Sequence, residues 1–164
     1  MKKWICTTAM LALVACGTLT PAEKEAHRVA WTQTVEKMLA DRHYTIDVQM
    51  MYPHRGTARN VVGNYSLEVR GDTLMSYLPY FGRAYQVPYG GGKGLNFSEV
   101  MENYSAVKNA QGQTIVTIGL TNEEDTYQYT LSIFDNGSTT IDVHARQRDP
   151  ITFSGMIVED DDNR

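Results

Sequence analysis

Thr126-Tyr127-Gln128-Tyr129-Thr130-Leu131-Ser132-Ile133, the turn Asp135-Asn136-Gly137, and Thr140-Ile141-Asp142-Val143-His144-Ala145 form the stretch that decides the fold. Tyr127, Tyr129, Leu131 and Ile133 alternate with polar neighbours, and Ile141, Val143 and Ala145 do the same beyond the turn. A period of two sends one face to a core and the other to water, as in half-buried antiparallel strands. Asn136-Gly137 between two such runs is a strong hairpin signal, because these residues adopt the backbone angles of a tight turn at little cost.

Upstream the same alternation recurs in Ile46, Val48 and Met50 and again in Tyr65, Leu67 and Val69. Leu74 to Leu78 and Thr114 to Leu120 carry apolar side chains on both faces, which places them beneath a helix or at the centre of the sheet. A last strand is expected near Ile151 to Val158, and turns at Gly71-Asp72, Asn109 to Gly112 and Asn122 to Asp125. Before His43 the period is 3.6. Thr20-Pro21-Ala22-Glu23 reads as a capping box with proline at the first helical position. Trp31, Val35, Met38 and Leu39 then form one apolar stripe, read as a helix laid on the sheet. The fold expected is mostly β: a single antiparallel sandwich or partly open barrel of about seven to eight strands with one N-terminal helix, over residues 21–158.

The chain opens Met1-Lys2-Lys3 and runs apolar from Trp4 to Ala15 before Cys16. A basic start, a short apolar core and small residues make an export signal over residues 1–15. Leu13-Val14-Ala15-Cys16 with Gly17 resembles the lipobox of bacterial lipoproteins, which implies cleavage before Cys16 and its acylation. Two or more acyl chains anchor a protein stably, so the membrane is the expected partner. Residues 16–20 form a short tether, whose four residues after Cys16 reach roughly 13 Å. No acidic residue follows Cys16 directly, which by the same resemblance favours the outer membrane. Cys6 leaves with the signal, so the remaining chain has no free thiol for a disulfide, a thiolate metal site or a cysteine nucleophile. Loss of Lys2 and Lys3 moves the formal charge from −4 to −6. A phosphate backbone is repelled overall, and no basic stripe counters this; nucleic acid is not an expected partner. The end, Glu159-Asp160-Asp161-Asp162, reads as a solvated acidic tail over 159–164 without the spacing of a calcium loop.

The unusual segment is Leu78 to Gly94, LPYFGRAYQVPYGGGKG. Its prolines fix φ and its glycines open conformations that other residues avoid, so the aromatics it carries are held in few poses. Tyrosine offers an apolar face, a polar tip and few rotors. Tyr77, Tyr80, Phe81, Arg83, Tyr85 and Tyr89 are the candidate binding residues, with the tyrosines stacking on a sugar ring, lipid or peptide side chain and Arg83 holding an anion. The same residues also suit a plug closing one end of the sheet. Both readings stand.

Other patterns yield to plainer explanations. Gly90 to Gly94 with Lys93 lacks the Ser/Thr and the first glycine of a phosphate loop. Arg70-Gly71-Asp72 fits a hairpin turn. His27, His43, His54 and His144 show no metal-ligand spacing, and no nucleophile elbow is present. Glu123, Glu124 and Asp125 sit at a hairpin tip where solvation accounts for them. No cofactor, metal site or catalytic residue is expected. Asp72-Thr73-Leu74 resembles an O-glycosylation acceptor pattern of one bacterial group, making Thr73 a candidate modification site.

Three segments carry a family resemblance: Pro53-His54-Arg55-Gly56, Leu78-Pro79-Tyr80-Phe81-Gly82-Arg83-Ala84-Tyr85 with Leu95-Asn96-Phe97, and Arg148-Asp149-Pro150-Ile151-Thr152-Phe153-Ser154-Gly155. Together they resemble the Bacteroidetes lipoproteins grouped as domain of unknown function 4251, over about Tyr44 to Val158. That resemblance implies a secreted, mostly β, lipid-anchored envelope domain and brings no catalytic residues with it. The expected function is a non-enzymatic binding module built on the aromatic segment. The alternative is a structural or interaction protein in which that segment is buried.

Overall fold

The computed structural model describes residues 20–85 and 92–159. Cys16, the leader, most of the tether, Tyr89 and the tail beyond Glu159 lie outside the described residues.

One helix precedes ten strands: α1 (Pro21–Asp41), β1 (His43–Pro53), β2 (Arg59–Asn60), β3 (Ser66–Arg70), β4 (Thr73–Leu78), β5 (Leu95–Val100), β6 (Asn103–Lys108), β7 (Thr114–Thr121), β8 (Thr126–Ile133), β9 (Ser138–Ala145) and β10 (Arg148–Val158). All pairings are antiparallel, in the order β5-β4-β3-β1-β10-β9-β8-β7-β6, with β2 added beside β1. Ser76 on β4 nevertheless meets the Tyr129 hydroxyl on β8 at 3.1 Å, and Phe97 on β5 packs on Tyr127 with ring centroids 4.9 Å apart. Strands so far apart in the order touch only if the sheet curls over its apolar face. The result is a half-barrel, with Tyr129, Phe153, Ile46, Leu67, Leu131 and Ile118 among its fully buried side chains.

Ten strands replace the expected seven to eight. The additional strands include β5 and β6 at the two edges of the sheet: β6 buries none of its six residues, and β5 buries only Leu95. β6 is open on its edge and over nearly all of both faces and so has no reason to alternate, while β5 turns only Leu95 and Phe97 toward the core, too short an apolar pattern to mark a strand. β2 has only two residues. The strands with apolar residues on both faces are not central either. β4 and β7 each lie second from an edge, and β1 and β10 occupy the middle. In β1 the alternation slips at a bulge between Val48 and Met50, so Met51 rather than Met50 enters the core. Gly155 sits opposite: a Cβ there would lie 2.0 Å from the Asp47 carbonyl oxygen, which only glycine avoids.

The hairpin at Asn136-Gly137 forms as expected, with Gly137 at φ +84°. The Thr20 capping box is also present, the Thr20 hydroxyl accepting from the Glu23 N–H while the Glu23 carboxylate accepts from the Thr20 N–H. Only the second half of α1 packs on the sheet. Val35 and Leu39 are buried and Trp31 and Met38 pack beside them, whereas residues 21–30 are exposed on every side. Apart from Val29 those first turns carry only Pro21 and alanines as apolar residues, and the sequence has no bulky apolar stripe before Trp31 to dock them. Trp31 Nε1 donates to the Asn136 carbonyl at 3.0 Å, and Lys108 pairs with Glu36 and Asp135. The helix therefore closes one end of the half-barrel, where β1 begins and the β8–β9 hairpin turns.

Candidate functional site

The opposite end gathers the tips of β1 and β4, the starts of β5 and β10, and the β7–β8 hairpin. Tyr80, just past β4, is half-buried. Its hydroxyl donates to the carbonyls of Arg83 (2.9 Å) and Asp149 (3.1 Å). Residues 83–85 then lie against the start of β10: the Asp149 N–H donates to the Arg83 carbonyl at 2.9 Å, the Tyr85 N–H to the Gln147 carbonyl at 2.7 Å, and Ala84 bridges Arg148. Tyr85 Oη closes the clamp by donating to the Asp149 carboxylate at 2.5 Å.

These contacts explain the proton affinities. The Tyr85 hydrogen bond, above all, holds the Asp149 carboxyl below the usual range. The same bond raises the Tyr85 hydroxyl, and burial raises that of Tyr80. Arg55 and His54, leaving β1 next to β10, add to the depression of Asp149, and Arg55 and Arg83 act on Tyr85 in the opposite sense to its hydrogen bond.

Beneath the clamp lies a buried charge cluster. Arg148 is 7% exposed; its Nη2 donates to Glu124 at 2.7 Å, and its Nε stands 3.8 Å from Asp125 without a hydrogen-bond partner. Asp125 accepts from the N–H groups of Thr126, Arg146 and Gln147, and Glu124 also accepts from the Lys93 N–H. Solvation therefore does not account for these two acids: Asp125 is buried and Glu124 largely so. The expectation failed because adjacent acids at a turn look the same whether or not a distant arginine meets them. A Cβ on Gly92 would lie 2.8 Å from Glu124 Oε2 and 3.1 Å from Arg148 Nη2, so glycine is what allows the chain to pass over the pair. A cleft of about 320 Å³ opens beside it, lined in part by Tyr80, Ala84, Lys93 and Gly94.

The five candidate binding residues among the described ones thus separate, Tyr89 lying outside them. Tyr80 is the latch, neither a core plug nor a free surface. Phe81 (53% exposed), Arg83 and Tyr85 (65% exposed) face solvent, and Arg59 stacks its guanidinium 4.7 Å from the Phe81 ring centre. Tyr77, also 53% exposed, stands apart and stacks on Tyr65 at 5.1 Å. Arg55, Arg59, Arg148 and Asp149 were not among the residues singled out for binding, although three of the four lie within or near the quoted family segments. Thr73 is half-exposed at the first position of β4, beside the Gly71-Asp72 turn.

The family model for Domain of unknown function (DUF4251) matches residues 28–157. The chain belongs to the DUF4251 family. A crystal structure of a DUF4251 family protein from Bacteroides eggerthii DSM 20697 shares the fold, with a TM-score of 0.62 and 12% identity over 82% of this chain and 91% of that one. No curated protein matches. The match begins within α1 and ends one residue before the end of β10, so the DUF4251 unit comprises the half-barrel and the packed part of its helix. Among the described residues no group of three or more His, Cys, Asp or Glu is placed to hold a metal, and no helix is long and apolar enough to cross a membrane.

Proposed function

We propose that this DUF4251 domain is a non-enzymatic binding module of the bacterial envelope, tethered through acylated Cys16 and binding at the Phe81–Tyr85 rim. The observation that carries it is the exposure of Phe81, Arg83 and Tyr85 on a backbone pinned by Tyr80 and Asp149. Exposed aromatics on a fixed backbone lose little conformational entropy on binding, which is what a recognition surface needs. The exposed half of α1 fits the tether: ten helical residues make a stalk of roughly 15 Å between lipid and barrel. Aromatic groups of this kind take a glycan, lipid or peptide; nucleic acid is disfavoured by the overall charge. Thr73, beside its exposed turn, is open to glycosylation in this setting.

Two measurements test the reading. Cys16→Ser should move the protein from the membrane to the soluble fraction and abolish acyl labelling. Phe81→Ala with Arg83→Ala should abolish retention on isolated envelope material while the melting temperature stays unchanged. Retention equal to wild type removes the site from consideration. The exposed edge of β6 supports a second reading, a structural protein whose partners add strands there; in that case proline substitution at Ser105, not the rim variants, releases the partner.

A further inference from the structure

Around Phe81 and Tyr85 the structure concentrates positive charge that the rest of the molecule does not predict. His54 and Arg55 follow β1, whose last residue, Pro53, pairs with Ile151 of β10. They therefore emerge beside Asp149 and the clamped 83–85 segment. Arg59 on β2 pairs with Met51 and reaches across to Phe81. Ala84 faces the cleft, so in an extended segment Arg83 and Tyr85 point the other way, onto the same outer rim. Arg55, Arg59 and Arg83 are all exposed, and among the described residues none lies within ion-pair distance of a carboxylate. Asp149, which feels the charge of Arg55, is already hydrogen-bonded to Tyr85 and to the Arg83 N–H. Three arginines thus stand without an ion-pair contact among the described residues, on a chain whose formal charge is −4.

Uncompensated like charges repel one another and are retained at a cost in stability unless an anion meets them. Arginine is suited to this because its planar fork binds carboxylate and phosphate with two parallel bonds. The rings between them add a second requirement. Phe81 and Tyr85 present flat apolar faces, one of them already covered on one side by Arg59. An inorganic anion would satisfy the arginines and leave the rings wet, and a neutral sugar would do the reverse. A chain of pyranose rings bearing carboxylates satisfies both, with ring faces on the aromatics and the negative groups on the guanidiniums.

Deepening the binding-module reading, on which it rests, we infer that the rim formed by Arg55, Arg59, Phe81, Arg83 and Tyr85 binds an acidic polysaccharide. The test uses the chain carrying Cys16→Ser, which lacks the acyl anchor and needs no detergent, titrated calorimetrically with oligogalacturonate, a size-matched neutral cello-oligosaccharide, polyphosphate, and vesicles containing anionic phospholipid. Oligogalacturonate should bind. Arg59→Gln with Arg83→Gln should weaken that binding at least tenfold, Phe81→Ala should weaken it severalfold with every arginine retained, and rising salt should weaken it further. Near-ultraviolet circular dichroism of each variant, matched to wild type, shows that the rim and not the fold was changed. Equal binding of polyphosphate, or loss in the arginine variant but not in Phe81→Ala, overturns the sugar part of the inference. Preference for the vesicles assigns the surface to the membrane and overturns it entirely. Binding of the neutral oligosaccharide alone leaves the binding module standing and refutes the acidic ligand. Binding of none of the four refutes this inference, while retention on envelope material still decides the broader reading.

Discussion

Replacing Arg148 by methionine removes a charge from a place where its partners cannot readily be rehydrated. Its side chain is 6% exposed, that of Glu124 16% and that of Asp125 1%. Removing one member of a buried pair typically costs about 3–5 kcal/mol, because the remaining charge is left uncompensated. The structure places this case near the lower bound. Asp125 keeps three backbone N–H donors, and Glu124 keeps the Lys93 N–H and some contact with solvent. Arg148→Met should therefore cost about 3 kcal/mol, or a fall in melting temperature on the order of 10 °C for a domain of this size. Urea unfolding followed by Trp31 fluorescence measures it, since Trp31 reports the helix docked on Asn136 at the far end of the barrel. Adding Glu124→Gln should restore most of the loss, as it removes the orphaned charge. A cost below about 1 kcal/mol, or a double variant no better than Arg148→Met, would mean that the pair does not fasten the 92–94 segment to the β7–β8 hairpin.

Tyr80→Phe deletes the hydroxyl that reaches the Arg83 and Asp149 carbonyls; it should cost about 1 kcal/mol and speed amide exchange at Tyr85 more than in the core strands. Gly155→Ala forces a Cβ against the Asp47 carbonyl and should cost at least about 3 kcal/mol, read as loss of soluble folded protein. Thr20→Ala removes a cap normally worth about 1 kcal/mol, but it caps turns that pack on nothing, so helicity should fall while the global urea midpoint stays in place. Burial raises the hydroxyls of Tyr44, Tyr80, Tyr104, Tyr127 and Tyr129 above their ordinary value of 10.0. Stability from these groups is complete below that value and is lost as pH rises through their folded values, because the unfolded chain releases its protons first. Absorbance at 295 nm should show these tyrosines ionising together with unfolding rather than gradually. At the acid end Asp149 behaves in the opposite sense, its contribution fading as pH falls below the ordinary carboxyl value of 3.8.

What could be read from the sequence follows from where the physical signal is local. The β8–β9 hairpin needs only alternation and Asn136-Gly137, and it forms where expected. The packed half of α1 follows from Trp31, Val35, Met38 and Leu39. β6 was illegible because an exposed edge strand owes its conformation to the hydrogen bonds of β7, not to its own pattern. The bulge that moves Met51 inward depends on Gly155, more than a hundred residues away. The site divides along the same line. Proline, tyrosine and glycine marked the segment, but whether its rings would be buried depended on Asp149 and Arg148, which carry no local mark of being partners.

Among the described aromatics of the segment, Tyr80 is half-buried while Phe81 and Tyr85 are turned outward. A segment held only by its own stiffness would need every aromatic either inside or outside. Here Tyr80 fixes the backbone by spanning two carbonyls and Tyr85 ties it to Asp149 through its hydroxyl tip alone, so the Phe81 ring and the face of Tyr85 stay turned outward. The buried Arg148–Glu124 pair serves the same end from below, since it ties the glycine-rich return of the segment to a hairpin that belongs to the sheet. Between the buried Leu78 and Leu95, polar groups fasten the 80–85 and 92–94 stretches, and that choice has a consequence. Apolar anchors would have drawn Phe81 and Tyr85 into the core with them, whereas a hydroxyl, a carboxylate and a guanidinium hold the chain without competing for its aromatic faces. A rim assembled in this way can keep aromatic and cationic side chains exposed together, and that combination is what the anionic-sugar reading requires.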